Sequence, residues 1–288
     1  MTWQKWMTQA VARLRLALSP CPTRDAEILL LQVTGETRTR LLAFSETPLP
    51  DTQHDALEIL LTRRERGEPI AYLIGEWDFW SLRLRISTDT LIPRADTECL
   101  IQCALDLSLP PCTEVLDLGT GSGAISLALA SERPSWRITG VDCSRGAVAL
   151  ARDNAVSLGL DHVQFHESDW FKALTMKRFN LIISNPPYIQ ADDPHLLQGD
   201  ARFEPRSALV GGEDGLKDLA EICCGAGQHL LPGGWLLLEH GWSQGVAVRG
   251  LLGASGFGRT ITLRDYGGNE RVSFGQLLPE STRDLKRA

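Results

Sequence analysis

The segment that most constrains the fold is the turn Asp117-Leu118-Gly119-Thr120-Gly121-Ser122-Gly123-Ala124, set between an apolar run at 114–118 and a helical pattern at 124–131. Three glycines in five residues permit a tight turn and let backbone approach a ligand closely. In an open α/β sheet such a turn lies beyond the carboxyl end of a strand, where ligands bind. The alternation continues downstream, with strands expected at 136–142, 163–167, 179–184 and 234–239 and helices at 145–158 and 216–231. This pattern predicts a parallel, doubly wound sheet. Segments 258–263 and 271–277, flanking a Gly-Gly-Asn turn, predict an antiparallel hairpin that completes it.

The chain before this region has another character. Trp3, Met7, Val11, Leu14 and Leu18 recur at helical spacing, and Pro20 and Pro22 end that helix. Thr23 is the expected N-cap of a second helix burying Ala26, Leu29, Leu30 and Val33 and closed by Gly35. A third is expected at about 52–66, closed by Gly67. Residues 76–92 place Trp77, Phe79, Trp80, Leu82, Leu84 and Ile86 near period two, the mark of a short hairpin. The expected organisation is a helical recognition domain at 1–75, a β-hairpin linker at 76–94 and the α/β domain at 95–288.

Gly119, Thr120, Gly121, Ser122 and Gly123 signal a nucleoside but do not choose it. Gly119, Gly121 and Ala124 also satisfy the Gly-x-Gly-x-x-(Gly/Ala) pattern of dinucleotide enzymes. Asp142 ends the second strand 142 − 119 = 23 positions on, and a carboxylate there accepts ribose hydroxyls in either class. Trp170 follows the third strand, at the expected adenine position; contact with the base and plain core packing are both open to it.

Asn185-Pro186-Pro187-Tyr188 resolves the choice. Two prolines force the chain out of the sheet in an extended path, leaving the Asn185 side chain and Pro186 carbonyl at the strand end. A carboxamide or exocyclic amine has a delocalised lone pair and is a weak nucleophile. Two acceptors, Asn185 oxygen and Pro186 carbonyl, can hold its two N–H hydrogens and favour a tetrahedral nitrogen, while Tyr188 lies against the planar group. Displacement at a sulfonium methyl then follows from positioning, whereas hydride transfer has no use for such a site. Asn185, Pro186 and Tyr188 are the expected catalytic residues, with Pro187 completing the acceptor site, and S-adenosylmethionine is the expected cofactor.

Charge and cysteine content narrow the class further. Residues 1–75 carry nine Lys/Arg and nine Asp/Glu, so the whole net charge of −7 lies in the remainder. An acidic α/β region argues against a phosphate-tracking surface. Seven cysteines show neither Cys-x-x-Cys nor zinc spacing, so no metal is expected and a reducing cytoplasm is. Residues 1–24 lack acids and leave a weak organelle-targeting reading; no apolar run is long enough to span a bilayer.

Beyond the tetrad, the chain resembles the release-factor glutamine-N5 methyltransferases. The likeness runs through Gly67-Glu68-Pro69-Ile70-Ala71-Tyr72-Leu73, Leu91-Ile92-Pro93-Arg94-Ala95-Asp96-Thr97-Glu98, Arg202-Phe203-Glu204-Pro205 and Arg264-Asp265-Tyr266-Gly267-Gly268-Asn269-Glu270-Arg271, besides the glycine loop and the tetrad. It implies a Rossmann-like methyltransferase domain behind a helical domain and a hairpin, and methylation of the glutamine in the Gly-Gly-Gln loop of peptide chain release factors. It carries Gly119 to Gly123, Asp142, Trp170 and Asn185 over as cofactor residues, and Asn185 to Tyr188 as substrate residues. Asn180 departs from it, standing where the family often has an acid. Arg94 and Glu98, one helical turn apart, are a candidate ion pair at the site mouth. The rival enzyme is a nucleic-acid amino methyltransferase acting on adenine N6, which would have to flip its base and contact phosphates; an oxidoreductase and a non-catalytic module rank below it.

Overall fold

The computed structural model describes residues 1–174 and 177–279, so the end of the expected 95–288 segment lies outside the described residues. Two units are present, one of residues 1–76 with 197–203, the other of 77–196 with 204 onward.

The first unit is helical: α1 (Trp3–Leu16), α2 (Pro22–Thr34), α3 (Arg38–Ala43), α4 (Asp51–Glu65) and α5 (Ile70–Ile74). The buried stripe of α1 is Trp3, Trp6, Ala10 and Leu14, while Leu18 is exposed. The face is therefore rotated from the expected Met7–Val11 line, because it is the large Trp6 ring that turns inward. Thr23 is not the N-cap; α2 begins with Pro22 at its first position behind Cys21, where a missing N–H costs nothing. Gly35 closes it in the left-handed conformation. Inside this unit Arg64 donates to Asp25 at 2.7 Å with both side chains buried, and Ser19 donates to the same oxygen at 2.6 Å.

In the second unit β1 (Glu76–Phe79, entering from the first) and β2 (Leu82–Arg85) pair across Trp80-Ser81. The main sheet holds β3 (Glu114–Leu118), β4 (Arg137–Asp142), β5 (Gln164–Glu167), β6 (Phe179–Ser184), β7 (Leu230–Glu239), β8 (Phe257–Arg264) and β9 (Glu270–Leu277), in the order β5-β4-β3-β6-β7-β9-β8. β3 to β7 run parallel; β9 is antiparallel to β7 and β8 to β9. The helices are α6 (Glu98–Asp106), α7 (Ala124–Glu132), α8 (Arg145–Ser157), α9 (Lys217–His229) and α10 (Gly245–Ala254).

This is the expected Rossmann-like α/β fold. The central strands are near-continuous apolar runs because parallel strands are covered on both faces; Val115, Leu116, Leu118, Leu181, Ile182 and Ile183 are all fully buried. β7 is longer than expected and begins at Leu230, with an irregularity in its pairing to β6 that takes up Leu231 to Gly234. Asn180, the departure from the family pattern, accepts from Glu114 N at 2.9 Å and so fixes the start of β3 against β6. Chain order reverses between β3 and β6, which puts the ligand crevice at their carboxyl ends.

Candidate active site

A cavity of about 250 Å³ opens at that crevice. Gly119, Thr120, Gly121 and Ser122 line it, with Asp142, Trp170, Asn185 and Pro187. Gly119, Gly121 and Gly123 all have positive φ, which explains the glycines of the turn. Gly123 stands apart from the lining. A Cβ there would lie 3.1 Å from Leu127, 3.2 Å from Ala151 and 3.3 Å from Phe165, so it serves the packing of α7 and α8.

The loop is held from beneath by Asp117. Its Oδ2 accepts from Thr120 and Ser126 hydroxyls, each at 2.7 Å, while Oδ1 has no hydrogen-bond partner among the described residues. Burial lifts this carboxyl to about 6 against the pull of those hydroxyls. Asp142 accepts from Gly121 N and Ser144 N, each at 2.9 Å. Burial raises its pKa too, with backbone N–H groups opposing. Asn154, fully buried on α8, donates to Ser122 O at 2.8 Å and exchanges hydrogen bonds with both backbone groups of Arg85. One carboxamide thus ties the glycine loop to β2, a role nothing in the local sequence announces.

Trp170 adopts a left-handed φ of 45°. Its ring lies 3.6 Å from where a Cβ on Gly119 would stand. It faces the cavity and packs on the core at once, so the two readings of this residue are not exclusive.

The tetrad leaves β6 as the prolines require. Asn185 Nδ2 donates to Thr97 Oγ1 at 3.2 Å. Pro186 is buried and, like Tyr188, is absent from the cavity wall. The Tyr188 hydroxyl turns back to donate to Glu239 Oε1 at 3.3 Å, and burial raises its pKa strongly. Behind the tetrad, Ile189 N donates to Leu209 O and Gly211 N to Ile189 O, at 2.9 and 3.0 Å. A Cβ on Gly215 would stand 2.3 Å from Tyr188 O, and Gln244 donates to that same carbonyl at 3.0 Å. The loop around residue 211 is therefore a second glycine-dependent element of the site.

Arg94 and Glu98 do not pair. Arg94 donates to Glu204, whose side chain is fully buried and also accepts from Ile92 N at 3.0 Å. Glu98 instead accepts from Trp80 N at 3.2 Å. The extended backbone of Arg94 directs its side chain away from the helix that begins at Glu98. The Arg94–Glu204 pair joins two stretches of cavity wall, Leu91 and Pro93 on one side and Ser207 and Ala208 on the other.

The chemistry of the wall selects the cofactor. Asp89, Asp142, Asp169 and Asp218 line the cavity with no Lys, Arg or His. Such a set suits a ligand carrying a sulfonium and an ammonium and disfavours the pyrophosphate of a dinucleotide. Among the described residues no group of three or more His, Cys, Asp or Glu could hold a metal.

A glycine-loop crevice at the switch point, acidic walls and an Asn-Pro-Pro-Tyr exit define a Rossmann-like S-adenosylmethionine-dependent methyltransferase. Residues 95–199 match the model of the methyltransferase small domain, and 5–75 that of the PrmC N-terminal domain. The release factor glutamine methyltransferase of Salmonella typhimurium (strain LT2) is 55% identical over 97% of this chain and 100% of its own length. That of Escherichia coli (strain K12) is 52% identical over 96% and 99%. A methyltransferase from Pyrococcus furiosus shares the fold, with a TM-score of 0.54 at 17% identity, covering 76% of this chain and 98% of that one. The chain belongs to the release factor glutamine methyltransferase family.

Proposed function

We propose that this enzyme transfers a methyl group from S-adenosylmethionine to the side-chain amide nitrogen (N5) of the glutamine in the Gly-Gly-Gln motif of peptide chain release factors. The observation that carries the reading is the orientation of Asn185. Its NH₂ is engaged by Thr97, so its oxygen faces the cavity as an acceptor. Bound in the cavity, the cofactor supplies an electrophilic methyl on a positively charged sulfur.

The chain's own residues do the rest. Asp142 takes ribose hydroxyls with the lone pairs its backbone partners leave free, and the turn at Gly119 to Ser122 gives the nucleoside close access to backbone. The Asn185 oxygen and Pro186 carbonyl accept the two amide hydrogens and draw the nitrogen lone pair toward the methyl. Pro187 lines the path, while Tyr188, anchored at Glu239 and packed on the core rather than on the cavity wall, stiffens the exit from β6. No strong base is required, because an alkylated amide nitrogen sheds its proton readily. Helices 1–75 are the surface we assign to the protein substrate. No helix among the described residues is long and apolar enough to cross a membrane, and all seven cysteines are free thiols, which supports a cytoplasmic enzyme.

With labelled S-adenosylmethionine, purified protein should label a release factor, and replacing the glutamine of its Gly-Gly-Gln motif should abolish the label. Label on an adenine of DNA or RNA instead would establish the rival reading.

A further inference from the structure

Just past β5 the chain forms part of the cavity wall as Ser168, Asp169 and Trp170. Trp170 has a φ of 45°, a left-handed backbone that a bulky side chain adopts only under constraint. Glycine would sit there without strain, so the strain is tolerated for the sake of the ring. That ring stands against the first glycine of the cofactor turn, 3.6 Å from where a Cβ on Gly119 would lie.

Two fastenings hold it there. The first is the hydroxyl of Ser168, a buried residue. It donates to Trp170 O at 2.8 Å and accepts from Ala173 N at 3.0 Å, closing the turn on the far side of Trp170. Ser168 N donates to Asp142 O at 2.9 Å, which ties the same turn to the end of β4. The second fastening is the next ring along the chain. Phe171 stacks on His229, with ring centroids 4.7 Å apart and planes 8° from parallel. It also fills the space that a side chain on Gly225 would need: a Cβ there would stand 2.6 and 2.7 Å from two carbons of the ring. Gly225 and His229 lie one turn apart on α9, so they form a single seat for Phe171.

We propose that Ser168 and Gly225 are positioning residues for cofactor binding, holding the Trp170 ring against the glycine turn beside the adenine base. The hydrogen of the Ser168 hydroxyl is taken up by Trp170 O and a lone pair by Ala173 N, so the serine acts on the cofactor through the turn. Without the hydroxyl both bonds are lost, the backbone of Trp170 relaxes out of the left-handed region, and the ring leaves Gly119. Gly225 acts through Phe171. A methyl group added there displaces the Phe171 ring by 3.4 − 2.6 = 0.8 Å, and the shift passes to the adjoining Trp170.

The proposal rests on Trp170 binding the cofactor, and the experiment separates the two. Calorimetric titration of the full chain with S-adenosylmethionine gives the Kd, and turnover at saturating cofactor gives kcat. Trp170→Ala and Ser168→Ala should each raise the Kd about tenfold, the effect of losing one base–aromatic contact, while kcat falls by less than about threefold. The double variant Trp170→Ala/Ser168→Ala should bind no more weakly than Trp170→Ala alone, because the serine acts only through the ring. Gly225→Ala, a variant independent of Ser168, should raise the Kd at least threefold although alanine is the better helix former. Losses that multiply in the double variant would mean that Ser168 supports the site by another route, and they overturn the proposal. So does a Ser168→Ala Kd within twofold of the parent while Trp170→Ala binds tenfold more weakly. A Gly225→Ala Kd within twofold of the parent overturns the part assigned to Gly225. If Trp170→Ala itself binds as the parent does, the reading of Trp170 as a cofactor residue fails instead.

Discussion

Gly211→Ala tests whether the backbone of the tetrad is held in place from behind. Gly211 has no positive φ, so alanine meets no dihedral penalty there, and the effect is one of space alone. Its Cβ would stand 2.4 Å from Pro187 O and 3.0 Å from Gly215 O, whereas ordinary contact begins at 3.4 Å. The Pro187 carbonyl must therefore retreat by 3.4 − 2.4 = 1.0 Å. The loop cannot yield instead without breaking the bonds that Gly211 makes to Ile189 O and Lys217 N, both 3.0 Å. Prolines bend little, so the shift passes along the chain to Pro186 and Asn185. A misplacement of about 1 Å costs on the order of a hundredfold in rate, and overpacking costs about 1–3 kcal/mol in stability. Single-turnover methylation of a release factor, calorimetric titration with S-adenosylmethionine and a melting curve together read these effects. If the tetrad backbone is held from behind, transfer falls sharply, the Tm drops and the cofactor Kd stays near normal. Transfer within threefold of the parent would refute it, and cofactor affinity falling in step with rate would move the damage to the glycine loop.

Three further outcomes follow from the same contacts. Glu204→Ala leaves the Ile92 N–H without its acceptor and should cost about 1–3 kcal/mol, read by urea denaturation; Arg94→Ala removes the Arg94 cation from the fully buried Glu204 carboxylate and should cost about 3–5 kcal/mol, and a loss under about 1 kcal/mol would show that Glu204 does not need Arg94. Asp142→Asn gives up a charged acceptor and should weaken S-adenosylmethionine binding about 10- to 100-fold, measured by titration; a Kd within twofold of the parent would remove Asp142 from the cofactor site. Burial lifts Asp117 to about 6 and Glu239 to about 7, so the folded chain holds protons that the unfolded chain releases near 4, and stability should fall as pH rises from about 4 to about 7. Asp117→Asn should flatten the lower part of that slope in denaturation at several pH values, and an unchanged slope would show that Asp117 titrates alike in both states.

The parallel sheet was legible because fully covered strands leave short apolar runs between Gly and Pro punctuation. Glu114–Leu118 and Phe179–Ser184 are of this kind. α3 and α5, of six and five residues, are too short to display a helical period, and α1 misled because Met7 and Val11 fit the same spacing as the stripe that is buried. The start of β7 was hidden by Pro232 and its neighbouring glycines, which read as a loop but form an irregularity within the strand pairing.

At the site, legibility divided by range along the chain. The glycine turn and the tetrad are local, each stating its geometry in a few consecutive residues. What holds them is not. Glu204 reaches Ile92 across 112 positions, Asn154 reaches Arg85 across 69, Asn185 reaches Thr97 across 88, and Tyr188 reaches Glu239 across 51. None of these pairings leaves a periodic trace, and Arg94 shows the resulting error: the sequence offers Glu98 one turn away, while the fold supplies Glu204. The consequence is chemical as well as structural. A tetrad that binds a planar NH₂ group needs its carboxamide turned one way, and the sequence of the tetrad contains nothing that chooses that way. The choice falls to Thr97, just ahead of α6, which is why the same four residues can exist as a motif yet act as a site only inside this fold.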